Sequence, residues 1–145
     1  MASRGRDPRE RQLFHGTSQS HVVQSIFTQS FDWRMSGKNA TVFGKGAYFA
    51  RDAKYSDQYT GSPRTDDDAS HWMFMARVLL GDYTLGHRDY VRPPVKDPSR
   101  AHSELYDSCV NNVDKPTVFV VFDHDQCYPE YVICYTKCGN PFYKT

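Results

Sequence analysis

The chain has 145 residues, the size of one ordinary domain. Its 18 basic and 17 acidic residues leave a formal net charge of +1, so there is no electrostatic case for nucleic acid as its main partner. Only 39% of the chain is hydrophobic, yet 14% is aromatic, and large rings bury enough area each to sustain a core.

The N-terminus, MASRGRDPRE, lacks the apolar segment of a signal peptide, and no apolar run reaches the length of a membrane span. An intracellular protein, nuclear or cytoplasmic, is expected. Residues 1–10 read as a flexible end, with Arg4 to Arg6 fraying rather than forming a binding arm. Residues 11–145 read as a single domain. Cys109, Cys127, Cys134 and Cys138 are expected as reduced thiols, and their spacing forms no zinc module, so no metal is expected.

Gln12 to His15 reads as the end of a short strand. Thr17 or Ser18 can cap a helix running through Gln29, with Val22, Val23, Ile26 and Phe27 on one face. Gly44-Lys45-Gly46 matches neither the P-loop nor the dinucleotide glycine pattern, and reads as a tight turn feeding a strand. Asp52 to Tyr59 suits a second short helix. Gly61 to Ser70 and Tyr90 to His102, polar and broken by prolines, should hold no central strand.

Beyond them, Trp72, Phe74, Ala76, Val78 and Leu80 alternate with their neighbours as a strand does. Thr117 to Phe122 is β-branched and aromatic, and reads as a central strand. Glu130 to Lys137 follows Pro129 as another strand. The short 123–129 connection predicts that these last two pair antiparallel. The expected class is α+β, on a mostly antiparallel sheet.

Two constellations could carry chemistry. His15-Gly16-Thr17 lies where a strand meets a helix, a place that exposes backbone N–H groups, and Gly16 lets a ligand approach closely. The competing explanation is a turn glycine beside a hydrogen-bonded histidine. Ser56 and Tyr59 share a helix face, and Tyr48 precedes that helix. Two facing tyrosines with a hydroxyl between them make a slot for a flat ring, although three core tyrosines would fit the same pattern.

Taken in order, "LFHGT", "FGKGAYFARDAKYS", "YDSCV" and "PTVFVVFDHDQCYPEYVICY" resemble the catalytic domain of the poly(ADP-ribose) polymerase family, the diphtheria-toxin-like ADP-ribosyltransferases. The resemblance runs from about Gln12 to Lys137. "FDWR", "RPP" and "LYDSCVNN" resemble the members that carry CCCH zinc fingers and WWE modules.

The resemblance implies the ADP-ribosyltransferase fold, a split and mostly antiparallel sheet with short flanking helices, which binds NAD+ as co-substrate. It implies that His15 bonds the adenosine ribose, that Gly16 grips the nicotinamide amide, and that Thr17 lies near the adenine ribose. Tyr48 would pack on the nicotinamide ring, Ser56 would bond its carboxamide, and Tyr59 would stack on the other face. Residues between Phe31 and Phe43 would form a loop over the donor, with Arg34 as a contact. The implied partners are NAD+ and acceptor proteins, the chain itself included. No membrane or direct nucleic-acid contact is expected of this domain. A monomer is the default, though the sequence leaves the oligomeric state open.

Two departures shape the expected chemistry. The family's catalytic triad is His-Tyr-Glu, and here the third position is Val118. Glu130 belongs to the next strand and is placed outside the triad. Without an acceptor atom at position 118, transfer of a single ADP-ribose to protein is expected, without elongation. The strand and helix that usually lead the family domain are also expected to be absent. The rival expectation is a binding or scaffolding module with little activity.

Overall fold

The computed structural model describes residues 9–17, 20–31, 42–58, 60, 71–100 and 102–136. In chain order the elements are β1 (Glu10–Thr17), α1 (Ser20–Gln29), β2 (Ala47–Ala50), α2 (Ala53–Asp57), β3 (His71–Leu79), β4 (Tyr83–Leu85), β5 (Ser108–Val110), β6 (Val118–Val121) and β7 (Cys127–Tyr135). A 3-10 turn at His124–Gln126 leads into β7. No helix among the described residues is long and apolar enough to cross a membrane.

The strands form one sheet in the order β4-β5-β6-β2-β1-β3-β7. All pairings are antiparallel except β4 with β5. β1 pairs with β3 along its whole length, from Glu10↔Leu79 to Thr17↔Trp72. It pairs with β2 only at Phe14↔Ala50. The sheet is therefore split at the β1–β2 seam into a β4-β5-β6-β2 half and a β1-β3-β7 half.

The inward faces of both halves supply one core: Ala47, Phe49, Val110, Phe119 and Val121 from one, Leu13, Phe74, Ala76, Val78 and Cys127 from the other. Phe49, Phe74 and Phe119 are fully buried. Each contributes about 1.5–3 kcal/mol by leaving water. Gln126 ties the halves together, its amide donating to the carbonyls of Leu79 (3.1 Å) and Asp107 (2.8 Å).

The alternation read over residues 72–80 is the core face of β3, with Phe74, Ala76, Val78 and Leu80 fully buried. β6 is a central strand, as its composition implies, and all four of its residues are buried. Among its described residues, the loop at 90–102 holds no strand beyond an isolated bridge, Val95↔Leu105. Gly61 to Ser70 lies outside the described residues.

Three expectations need correction. The first is that β6 and β7 do not pair. Both edges of β6 are already filled, by β2 and by β5. β7 instead lines the free edge of β3 from His71↔Tyr135 to Val78↔Cys127. β7 also starts before Pro129 rather than after it. That proline faces Ala76 at an irregularity in the ladder, on an edge strand where a missing donor costs least.

The second correction concerns the first helix. Thr17 is not its cap, because it remains in β1, and α1 begins at Ser20; Ser18, the other candidate, lies outside the described residues. The third concerns its apolar face. Val23 and Ile26 are buried there, while Phe27 is 48% exposed and meets the core only edge-on at Phe74, with centroids 5.4 Å apart.

Candidate active site

The helix α1 ends at a left-handed residue that is not glycine. Ser30 has φ 64°, and its N–H donates to the carbonyl of Ile26 at 2.9 Å. This turn sends Phe31 back into the core, edge-on to Phe49 (4.8 Å) and Phe74 (5.5 Å). His15 packs against the same aromatic group, 5.0 Å from Phe31 and 5.6 Å from Phe49.

The split between β1 and β2 gives His15 its one polar contact among the described residues. After the Phe14↔Ala50 pair the two strands separate, and the carbonyl of Tyr48 accepts from Nδ1 of His15 at 2.7 Å. A carbonyl only accepts, so Nδ1 carries the hydrogen. Burial, partly offset by this bond, holds the His15 pKa below its ordinary 6.5. The ring is therefore neutral at physiological pH, with Nε2 a lone-pair acceptor that no described residue occupies.

Tyr48 lies on the opposite face of the sheet from His15. Its hydroxyl accepts from the N–H of Phe43 (2.8 Å) and donates to the carbonyl of Gly44 (2.7 Å). The hydroxyl is thus committed to the turn before β2. The glycines serve that turn. Gly44 has φ 132° and faces the Phe122 ring, while a Cβ on Gly46 would meet the carbonyl of Val121 at 2.5 Å. Gly44-Lys45-Gly46 is accordingly a structural turn delivering Tyr48, as its sequence implies.

Gly16 faces α2. A Cβ there would overlap the carbonyl oxygen of Ser56 and lie 3.0 Å from the methyl of Thr60. Glycine is required because the helix sits directly against this backbone. Ser56 is 3% exposed. Thr17 closes β1 as a buried residue opposite Trp72.

Val118 opens β6 opposite Ala50, and Val120 lies opposite Tyr48. Antiparallel partners share a face, so Val118 lies on the Tyr48 side, one step along the ladder. It is 3% exposed. Its N–H donates to Oδ1 of Asn111 at 3.0 Å, which also accepts from the N–H of Thr117. Glu130 is elsewhere. It lies 3.3 Å from Nε of Arg77 and receives a bond from Gln12, on the outer face of the other half-sheet. It cannot stand in for a carboxylate at position 118.

The structure therefore brings Gly16 and Ser56 together, joins His15 to the backbone of Tyr48, and sets Val118 on the Tyr48 face. Arg34 and Tyr59 lie outside the described residues. The sequence offered no sign of Phe31, Asn111, Thr60, His71 or Tyr135. These residues are far apart along the chain and carry no local periodicity. Among the described residues, Asp123, His124 and Asp125 bring three potential ligand atoms within 4.8 Å, all on exposed side chains at the turn before β7.

Comparison with known proteins places the chain in a family. Residues 2–104 match the poly(ADP-ribose) polymerase catalytic domain. The chain is 50% identical to the mouse (Mus musculus) protein mono-ADP-ribosyltransferase PARP12, over 94% of its own length and 18% of that protein's. It is 46% identical to mouse PARP11, over 86% of the chain and 41% of that protein. To human (Homo sapiens) PARP14 it is 42% identical, over 94% of the chain and 7% of that protein. The chain thus spans under half the length of each of these relatives. The family uses NAD+ as co-substrate, and its fold is the α+β arrangement described above. By sequence and by architecture, the chain belongs to the poly(ADP-ribose) polymerase catalytic-domain family.

Proposed function

We propose that the chain is an NAD+-dependent protein mono-ADP-ribosyltransferase, cleaving the nicotinamide–ribose bond and transferring one ADP-ribose to a protein side chain. The relatives named above are mono-ADP-ribosyltransferases, which supports this reading. The observation that carries it is the pairing of an intact grip with an apolar third position. Gly16 packs directly against the Ser56 backbone, while Val118, buried hydrocarbon, stands where the resemblance puts the carboxylate.

In this scheme the C–N bond between C1′ of the ribose and the pyridinium nitrogen breaks. Its electron pair stays with the leaving nicotinamide, which departs neutral and needs no proton. The acceptor forms the new bond to C1′ and gives up its own proton. Fixing the ring, excluding water and aligning the acceptor are the tasks left to the protein. Backbone at Gly16, the Ser56 hydroxyl and the Tyr48 ring hold the nicotinamide half, with Tyr59 as its second stacking face. Nε2 of His15 accepts from a ribose hydroxyl, Thr17 lies near the adenine ribose, and Arg34 is a further donor contact. None of these groups has to act as a base.

A carboxylate at position 118 would orient and activate an incoming ADP-ribose hydroxyl. Val118 offers no acceptor, and loss of one positioned electrostatic group costs on the order of 10²–10³ in rate. Elongation, which depends on a weak alcohol nucleophile, suffers most.

Likeness at "FDWR", "RPP" and "LYDSCVNN" supports membership of the zinc-finger and WWE subgroup, with a resemblance to the TCDD-inducible enzyme. A nuclear or cytoplasmic location and self-modification belong to the same proposal. Thermal stabilisation by NAD+, followed by automodification with labelled NAD+, tests it. A folded sample showing neither would make the chain a scaffolding module.

A further inference from the structure

We propose that Asp57, Thr60, His71 and Tyr135 form a positioning network that fixes the end of α2 against the sheet and so sets the gap between Gly16 and Ser56. The proposal rests on the nicotinamide site described above. The helix α2 has five residues, and its N-cap, Asp52, makes no side-chain capping bond. So short a helix does not hold itself together in water, and its place must come from tertiary contacts.

Thr60 supplies them from both ends of its side chain. Its methyl is the group that a Cβ on Gly16 would meet at 3.0 Å. Its hydroxyl lies 2.7 Å from the carbonyl of Asp57, 2.9 Å from Nδ1 of His71 and 3.2 Å from the hydroxyl of Tyr135. The carbonyl of Asp57 only accepts, so the Thr60 hydrogen goes there. Nδ1–H of His71 then donates to the Thr60 oxygen. The hydroxyl of Tyr135 donates to the Asp57 carboxylate.

The network joins three elements. Asp57 ends α2, His71 opens β3 and Tyr135 closes β7. His71 and Tyr135 are ladder partners, and their rings stack with centroids 5.4 Å apart at 25°. Thr60 and His71 are 1% and 7% exposed. Burial, and then the bond to Asp57, raise the Tyr135 phenol above its ordinary pKa of 10, so it stays a donor at neutral pH. None of the four touches the substrate in this arrangement. They act through Gly16 and Ser56, as positioning residues.

Matched variants separate hydroxyl from methyl. Thr60→Val keeps the methyl and the volume but removes the hydroxyl. Thr60→Ser keeps the hydroxyl. Tyr135→Phe keeps the ring stack. Calorimetry on the folded chain would measure nicotinamide and ADP separately, since the network acts on the nicotinamide half alone.

Thr60→Val and Tyr135→Phe are expected to weaken nicotinamide binding about tenfold, the loss of one buried hydrogen bond. Thr60→Ser should bind nearly as the parent does, and ADP affinity should be unchanged in all three. Tyr131→Phe, exposed on the same strand, should change nothing. Nicotinamide binding unaltered in Thr60→Val and Tyr135→Phe would overturn the proposal. So would equal losses for both ligands, or a Thr60→Ser loss as large as that of Thr60→Val. A parent chain that binds neither ligand would overturn the site reading itself, and this inference with it.

Discussion

Nδ1 of His15 spends its hydrogen on the carbonyl of Tyr48, and this leaves a neutral ring with Nε2 as acceptor. Protonation would turn that acceptor into a donor. The pKa is held below 6.5, so in the interval just beneath 6.5 the unfolded chain takes up a proton that the folded chain refuses. The stability due to this site is thus present above 6.5 and lost as the pH falls through that interval. NAD+ affinity measured by calorimetry should be flat through neutral pH and decline only below 6.5. A decline centred above 6.5 would remove His15 from the ribose contact.

At Val118 the surroundings are as telling as the residue. Ala50 lies opposite and Val120 next on the same face, with 3% exposure. Val118→Glu would bury a carboxylate in a strand whose four residues are all buried. A loss of about 3 kcal/mol or more in denaturant unfolding at neutral pH is expected. Burial raises the folded pKa of such a carboxyl, so the deficit should shrink as the pH is lowered and the group protonates. A deficit that does not change with pH would mean that the new carboxylate finds a partner or reaches solvent.

Among the elements, α2 and the end of β1 depend on each other. Gly16→Ala would push a Cβ into the carbonyl of Ser56, which is backbone and cannot rotate away. Nicotinamide binding should fall at least about tenfold, with a stability loss of about 1–3 kcal/mol. Parent-like binding in that variant would show that α2 can shift without cost to the site.

The elements differ in how plainly the sequence announced them. β3 was legible because its inward residues alternate apolar without interruption, and β6 because it is β-branched and buried on both faces. The pairing of β7 was not legible. A short connection implies a hairpin only when the first strand has a free edge, and β6 has none. The start of α1 was hidden because β1 runs on through Thr17 to pair with Trp72, and that pairing outweighs a local capping preference. Gly16, Tyr48 and Ser56 were marked as candidates by their motifs. The residues that hold them, Phe31, Thr60, His71 and Tyr135, meet only once the strands are ordered.

For the whole molecule, the decisive feature is the split sheet. Two half-sheets share one aromatic core, and the seam between β1 and β2 opens where His15, Gly16 and Tyr48 converge. One half carries Tyr48 and Val118. The other carries His15 and Gly16, and at its far end the Thr60 network anchors α2. On the proposed function, donor binding and acceptor activation fall at separable places, and only the second lacks its polar group. Phosphodiesterase digestion of the automodified chain, labelled in the adenylate of NAD+, tests this division most directly. AMP is expected as the sole labelled nucleotide released, since each site should carry one unit. Phosphoribosyl-AMP, which only internal units of a chain can yield, would contradict it.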